Sequence, residues 1–220
     1  MIKLPDFNKS FEYENNFYLS CDGSRITKLM SHYELYKLVM DLPGVIIECG
    51  VFKGASFARW AMFRNMFRNY YSHKLIGFDT FGKFPETEYK DDKKVRQNFI
   101  DNAGDQSISK NQLMDCMLKK DCAENIQLIE GDICETVPSF LQKHPETKIA
   151  LLNLDTDIYE PAVTILEHLW PRIVKGGILI IDDYGVFPGE TKAVDDFFKD
   201  KEVTIKKFPW ASSPCYVIKQ

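Results

Sequence analysis

From Leu42 onward, short apolar runs alternate with stretches of helical periodicity, and this alternation limits the possible folds more than any other feature of the chain. Val45 to Cys49, Lys74 to Phe78, Ile126 to Ile129, Ile149 to Leu154 and Ile178 to Ile181 read as five strands. Phe52 to Phe67 reads as a helix with Phe57, Trp60, Ala61, Phe63 and Phe67 as candidate core positions. Pro161 opens another helix, because its missing N–H costs nothing in a first turn. That helix carries Val163, Ile165, Leu166 and Leu169 inward and is expected to end before Gly176-Gly177. Such alternation is the signature of a mostly parallel sheet with helices on both faces. After Glu190 a helix with Ala193, Val194, Phe197 and Phe198 leads to two further strands, Val203 to Phe208 and Cys215 to Ile218. Their short Pro209-to-Pro214 connection predicts an antiparallel hairpin. The expectation is a Rossmann-like α/β fold with a seven-stranded, mostly parallel sheet and a C-terminal antiparallel hairpin.

Two regions fall outside this repeat. Ser31-x-x-Glu34 reads as a capping box opening a helix from His32 to Leu42. Residues 1–43 are therefore expected to be an N-terminal, substrate-side cap with one helix, and residues 44–220 the main domain. Gly82 to Ser109 is polar, charged and weakly periodic, ahead of a helix from Lys110 to Leu118. Loops of that length are commonly functional, and this one reads as a lid over the substrate.

Bulk properties exclude several classes. At 220 residues, 45% hydrophobic and 27% charged, the chain fits one ordinary globular domain or one domain with a small cap. A net charge of -4 gives no support to a nucleic-acid partner. The cluster Lys93, Lys94 and Arg96 is offset by Asp91 and Asp92 and reads as a solvated face. Met1 to Ser10 has no apolar h-region, and the run Gly177 to Ile181 is too short to span a bilayer, so neither a signal peptide nor a membrane span is expected. The six cysteines include no C-x-x-C pair and read as reduced thiols of a cytoplasmic protein, with zinc ligation not expected.

The first chemical signal is the strand-to-helix turn that runs from Glu48 through Gly50, Val51 and Gly54 to Ser56. Gly50 permits a tight turn, and the helix N-terminus offers free N–H groups to a ligand carboxylate. Glu48 suits the amino group of a bound amino acid and would repel a phosphate. Asp79 ends the second strand, where doubly wound folds hold ribose hydroxyls with an acid. Asp132 follows the third strand, where it can accept from an adenine amino group. An amino-acid group, a ribose and an adenine together describe S-adenosylmethionine. The alternative for the aspartates is helix capping.

The second signal is a set of acids. Asp155 and Asp157 end the fourth strand, and Asp182 and Asp183 end the fifth. An extended chain points Asp155 and Asp157 to the same side, so up to four carboxylates converge at neighbouring strand ends. A hard divalent cation relieves their repulsion, and all-oxygen ligation favours Mg²⁺, Mn²⁺ or Ca²⁺ over zinc. The metal would lower the pKa of a substrate hydroxyl, and Asp157 is the choice for general base. Of the histidines, His144 and His168 read as surface or core-edge residues. His32 could face the substrate, though its spacing does not require it.

These segments resemble the macrocin O-methyltransferase (TylF-type) family of class I methyltransferases. The resemblance rests on Glu48-Cys49-Gly50-Val51, Gly77-Phe78-Asp79-Thr80-Phe81, Leu154 to Pro161, and Gly176-Gly177 to Asp182-Asp183-Tyr184-Gly185. It implies a Mg²⁺-dependent enzyme that methylates sugar hydroxyls, with Asp155, Asp182 and Asp183 holding the metal, Asp157 as base, and a homodimeric assembly. The chain departs from the family pattern at Gly82-Lys83-Phe84, so the acceptor is left open between a glycan and a glycosylated small molecule. Alternatives are a catechol-like O-methyltransferase, which an apolar, aromatic pocket would favour, and a non-catalytic module that binds S-adenosylmethionine or a nucleotide.

Overall fold

The computed structural model describes residues 2–220. Strands β1 (Val45–Cys49), β2 (Leu75–Asp79), β3 (Ile126–Glu130), β4 (Ile149–Leu154) and β5 (Ile173–Ile181) are parallel, and β6 (Lys206–Lys207) and β7 (Cys215–Ile218) complete a seven-stranded sheet. The order is β3-β2-β1-β4-β5-β7-β6, with β7 antiparallel to both β5 and β6. Expectation and structure agree on the hairpin, although β6 is shorter than the Val203-to-Phe208 run. Its two lysines are exposed, a charged and very short edge that discourages pairing with another chain.

Alternation along the strands sends successive residues to opposite faces and so creates two cores. On one face Ile47, Phe78, Leu152 and Ile181 pack with α6 (Ile133–Lys143), α7 (Tyr159–Leu169) and α8 (Pro188–Phe198). On the other, Ile46, Leu75, Leu151 and Ile180 pack with α2 (Gly23–Val39), α3 (Ala55–Met66) and α5 (Lys110–Leu118). β1 pairs with β2 on one side and β4 on the other. The strand order thus reverses there, and the crevice beyond the carboxyl ends is where open α/β sheets bind ligands.

Several local expectations need correction. The helix expected from His32 begins at Gly23 instead, capped by Asp22, which accepts from the Ser24 N–H at 2.8 Å. Ser31 is buried in mid-helix, and Glu34 pairs with Lys37 at 2.9 Å, so no capping box forms. The N-terminal segment contains a further helix, α1 (Ser10–Ser20), where one helix was expected. The Gly82-to-Ser109 stretch holds α4 (Lys90–Ala103) and a bridge between Lys83 and Gln106. The buried side chains of α4 are polar. Asp92 accepts from the N–H groups of Tyr159 (3.0 Å) and Gly189 (2.7 Å), and Arg96 donates to the carbonyls of Pro85 (2.6 Å) and Phe84 (2.9 Å). Helix α7 ends before Gly176-Gly177 as expected, but β5 begins at Ile173 and not at Ile178, so both glycines lie inside the strand.

Candidate active site

The turn after β1 is fixed by an acid from β2. Asp79 Oδ2 accepts from the backbone N–H groups of Val51 (2.8 Å) and Phe52 (2.9 Å), and its Oδ1 accepts from Phe81 N–H (2.6 Å). Gly50 has φ +91°, and a Cβ there would lie 1.7 Å from the Asp155 carbonyl oxygen. The glycine is required because the exits of β1 and β4 nearly touch, a reason distinct from the close approach of a ligand. Gly54, at φ 82°, precedes α3. Ser56 opens that helix and lines a cavity of about 740 Å³ together with Gly50, Val51, Asp79 and Asp132. Asp132 also caps α6, accepting from Cys134 N–H at 2.8 Å, so the capping alternative holds for one of its oxygens.

Glu48 does not line this cavity. It is fully buried on the α3 face of the sheet, where Oε1 accepts from the Ser56 hydroxyl at 2.7 Å and Oε2 has no partner. Burial pushes its pKa up to about 8, against the pull of the Ser56 hydroxyl. The expected contact with a bound amino group is corrected to a place one layer below, because Glu48 shares the face of Ile46 on β1.

At the ends of β4 and β5 the four acids all line the cavity, in two groups. Oxygens of Asp155, Asp157 and Asp183 lie within 4.8 Å of one another. Asp157 reaches this group through a left-handed backbone, φ 65°, and not through the extended chain expected for Asp155 to Asp157. Asp182 forms an ion pair with Lys28, and its Oδ1 lies 3.6 Å from His32 Nε2.

Electrostatics follows this division. Burial and the charge of Asp182 raise the Asp155 pKa well above the usual range. Burial pushes Asp157 up to about 8, aided by the charges of Asp155 and Glu190. Asp183 is raised by burial and by the charges of Asp157 and Asp182. Burial would raise Asp182 too, but Lys28 and His32 hold it well below the usual carboxylate range. His32 itself is pushed down to about 4 by burial and is neutral. Arg59 contacts His32 Nδ1 at 3.1 Å and can only donate there, so the ring proton is on Nε2, facing Asp182.

Four contributors escaped the sequence reading. Glu190 is buried, and its two oxygens accept from Asp183 N–H (2.9 Å) and Thr156 N–H (3.4 Å), tying the two acid loops together. Arg25, Lys28 and Arg59 line the cavity. The spacing of Arg25, Lys28 and His32 puts all three on one face of a helix, and that signal was available. The segment read as a lid contributes Phe84 and Phe99, which form an aromatic wall with Phe52 and Phe187 at ring separations of 5.3–6.2 Å.

A family model described as macrocin-O-methyltransferase (TylF) matches residues 23–209. The demethyldecarbamoylnovobiocin O-methyltransferase of Streptomyces niveus is 26% identical over 169 residues, covering 71% of this chain and 59% of that protein. The mycinamicin III 3''-O-methyltransferase of Micromonospora griseorubida is 25% identical over 167 residues, covering 71% and 61%. The chain thus spans about three fifths of the length of these relatives. The crystal structure of CalS11, a calicheamicin methyltransferase, superposes with a TM-score of 0.77 at 30% identity, covering 95% of this chain and 85% of that one.

Proposed function

Because this chain belongs to the macrocin O-methyltransferase (TylF) family, we propose that it transfers a methyl group from S-adenosylmethionine to a hydroxyl of a sugar or glycosylated small molecule, assisted by a divalent cation. The observation that carries this reading is the meeting, in one cavity, of the Gly50 turn and the acids that end β4 and β5.

The cation fits the residues present. Asp155, Asp157 and Asp183 hold raised pKa values through burial and mutual repulsion, and Lys28 is paired with Asp182. Hard carboxylate oxygens without a dedicated counter-charge suit Mg²⁺, Mn²⁺ or Ca²⁺. By the family resemblance, Asp155, Asp182 and Asp183 would hold it. When bound, it supplies Lewis acidity to the acceptor hydroxyl, as S-adenosylmethionine supplies an electrophilic methyl group. Asp157 then takes the hydroxyl proton. The Gly50–Ser56 turn positions the amino-acid end of the cofactor, Asp79 faces its ribose, and Asp132 faces its adenine. Phe52, Phe84, Phe99 and Phe187 exclude water from one side. The exposed apolar residues of α1, Phe11 (77%) and Leu19 (88%), support a homo-oligomer.

One observation favours a different ligand set. The oxygens gathered within 4.8 Å belong to Asp155, Asp157 and Asp183, while Asp182 is engaged by Lys28. Asp157 would then be a metal ligand in place of Asp182. The aromatic wall, for its part, favours a catechol-like acceptor. Titration calorimetry of S-adenosylmethionine and Mg²⁺ into wild type, Asp157→Asn and Asp182→Asn tests these readings. Wild-type cofactor binding is expected, with Mg²⁺ binding lost in Asp182→Asn and kept in Asp157→Asn. The reverse pattern makes Asp157 the ligand, and failure of the wild type to bind the cofactor sinks the methyltransferase reading.

A further inference from the structure

Two guanidinium groups line the cavity with no carboxylate partner. Arg25, on α2, is exposed, and its guanidinium makes no hydrogen bond or ion pair among the described residues. Arg59, on α3, has a single hydrogen-bond contact, with His32 Nδ1 at 3.1 Å. Of the three acids whose charge reaches Arg59, Asp182 is engaged by Lys28 and Glu48 by the Ser56 hydroxyl at 2.7 Å, while Asp155 belongs to the acid cluster and makes no ion pair with either arginine among the described residues. Burial lowers the Arg59 pKa, Glu48, Asp182 and Asp155 oppose that, and Arg25 adds a like charge. Two helices thus bring two repelling cations to one wall of a cavity, in a chain whose net charge is -4. Such a pair is relieved by an incoming anion.

Its position narrows what the anion belongs to. In the sheet order, β2 and β3 lie on one side of β1, and β4 and β5 on the other. Asp79 and Asp132 stand at the β2–β3 end, where the nucleoside half of the cofactor is read. Helix α2 packs against β4 and β5, and Lys28, one turn after Arg25, reaches Asp182 at the end of β5. The arginines therefore overlook the acid cluster, on the acceptor side.

We propose that the acceptor is an anionic sugar, one that carries a phosphoryl group, and that Arg25 and Arg59 hold its phosphoryl oxygens while the hydroxyl faces Asp155, Asp157 and Asp183. A guanidinium presents parallel donors that match phosphate oxygens, and it stays charged even when partly buried. This assignment rests on the methyltransferase reading above and names the substrate class of that site.

The test is calorimetric titration of inorganic pyrophosphate into the full chain, in metal-free buffer, with and without saturating S-adenosylhomocysteine. Wild type, Arg25→Gln and Arg59→Gln are compared. Arg25 is exposed, so its replacement leaves the core intact. Wild type is expected to bind pyrophosphate with and without S-adenosylhomocysteine, and each substitution to weaken binding by about tenfold or more. The affinity of Arg25→Gln for S-adenosylhomocysteine is expected to stay within about twofold of wild type. The proposal is overturned if wild type does not bind pyrophosphate, or if Arg25→Gln binds it as wild type does. It is overturned equally if Arg25→Gln loses S-adenosylhomocysteine affinity, which would give the guanidinium to the cofactor carboxylate. Failure of wild type to bind S-adenosylhomocysteine sinks the methyltransferase reading instead, and the titration without it still tests the arginine pair.

Discussion

The ammonium of Lys28, on α2, is paired with the buried carboxylate of Asp182 at the end of β5, so a helix that precedes the sheet supplies a counter-charge to the acids at the strand ends. Removing one partner of such a pair leaves an uncompensated buried charge, at a cost of about 3 kcal/mol or more. Lys28→Met is therefore expected to lower the melting temperature by several degrees in metal-free buffer. Because a divalent cation can replace the lost charge, Mg²⁺ should raise the melting temperature of Lys28→Met more than that of wild type. Thermal melts with and without Mg²⁺ check this, and equal shifts in the two proteins would count against Lys28 as the counter-charge of the acid cluster.

Asp79 predicts a separable effect on the cofactor side. Its carboxylate accepts three backbone N–H groups, two of them from the turn that follows β1. Asp79→Asn replaces an acceptor oxygen with a donor, which removes at least one charge-assisted bond and costs about 2 kcal/mol. The expected result is weaker S-adenosylmethionine binding with Mg²⁺ binding unchanged, read by calorimetry on the same samples. A parallel loss of both would mean that Asp79 supports the whole crevice and not the turn alone.

The main sheet and both its cores were legible because their signals are apolar and periodic, as in Ile46–Ile47 and Ile178–Ile181. What stayed hidden is polar. The first half of α2, Gly23 to Met30, buries no residue fully, and α4 turns Asp92 and Arg96 inward, so hydrophobic periodicity registers neither. The acids of β4 and β5 announce themselves as strand-end clusters, whereas Lys28, Arg59 and Glu190 are joined to them only by tertiary packing between segments far apart in sequence. The place of Glu48 depended on which face of β1 it takes, and a five-residue strand buried at every position after the first does not reveal that in advance.

Glu48 makes a prediction about pH. Burial raises its pKa to about 8 in the folded chain, whereas an unfolded glutamate titrates near ~4.3. The folded value is the higher one, so the stability linked to this group is full below about pH 4.3 and is lost as pH rises toward 8, by on the order of 5 kcal/mol in total. Glu48→Gln keeps the shape of the neutral side chain and does not titrate. Urea unfolding at pH 5 and pH 8.5 should show the mutant gaining on wild type at the higher pH. A difference between the two proteins that does not change with pH would mean that Glu48 is ionised in the fold.

Gly50 and Gly54 separate a backbone requirement from a soft one. Both have positive φ, +91° and +82°. At Gly54 an added Cβ would meet the Leu113 Cδ1 methyl at 2.9 Å, which a flexible side chain can relieve. At Gly50 it would lie 1.7 Å from the Asp155 carbonyl oxygen and 2.6 Å from the carbonyl carbon, and backbone must move. That segment is held by the Asp155 N–H donating to the Cys49 carbonyl at 3.0 Å, and it carries both Asp155 and Asp157. Gly50→Ala should therefore shift two members of the acid cluster and lose Mg²⁺ binding even where the fold survives. Gly54→Ala should be destabilised by about 1 kcal/mol or more through backbone strain while its Mg²⁺ affinity stays near that of wild type. Circular dichroism and Mg²⁺ titration of the two variants decide the matter. A folded Gly50→Ala that still bound Mg²⁺ like wild type would show that the β1–β4 contact does not set the geometry of the cluster.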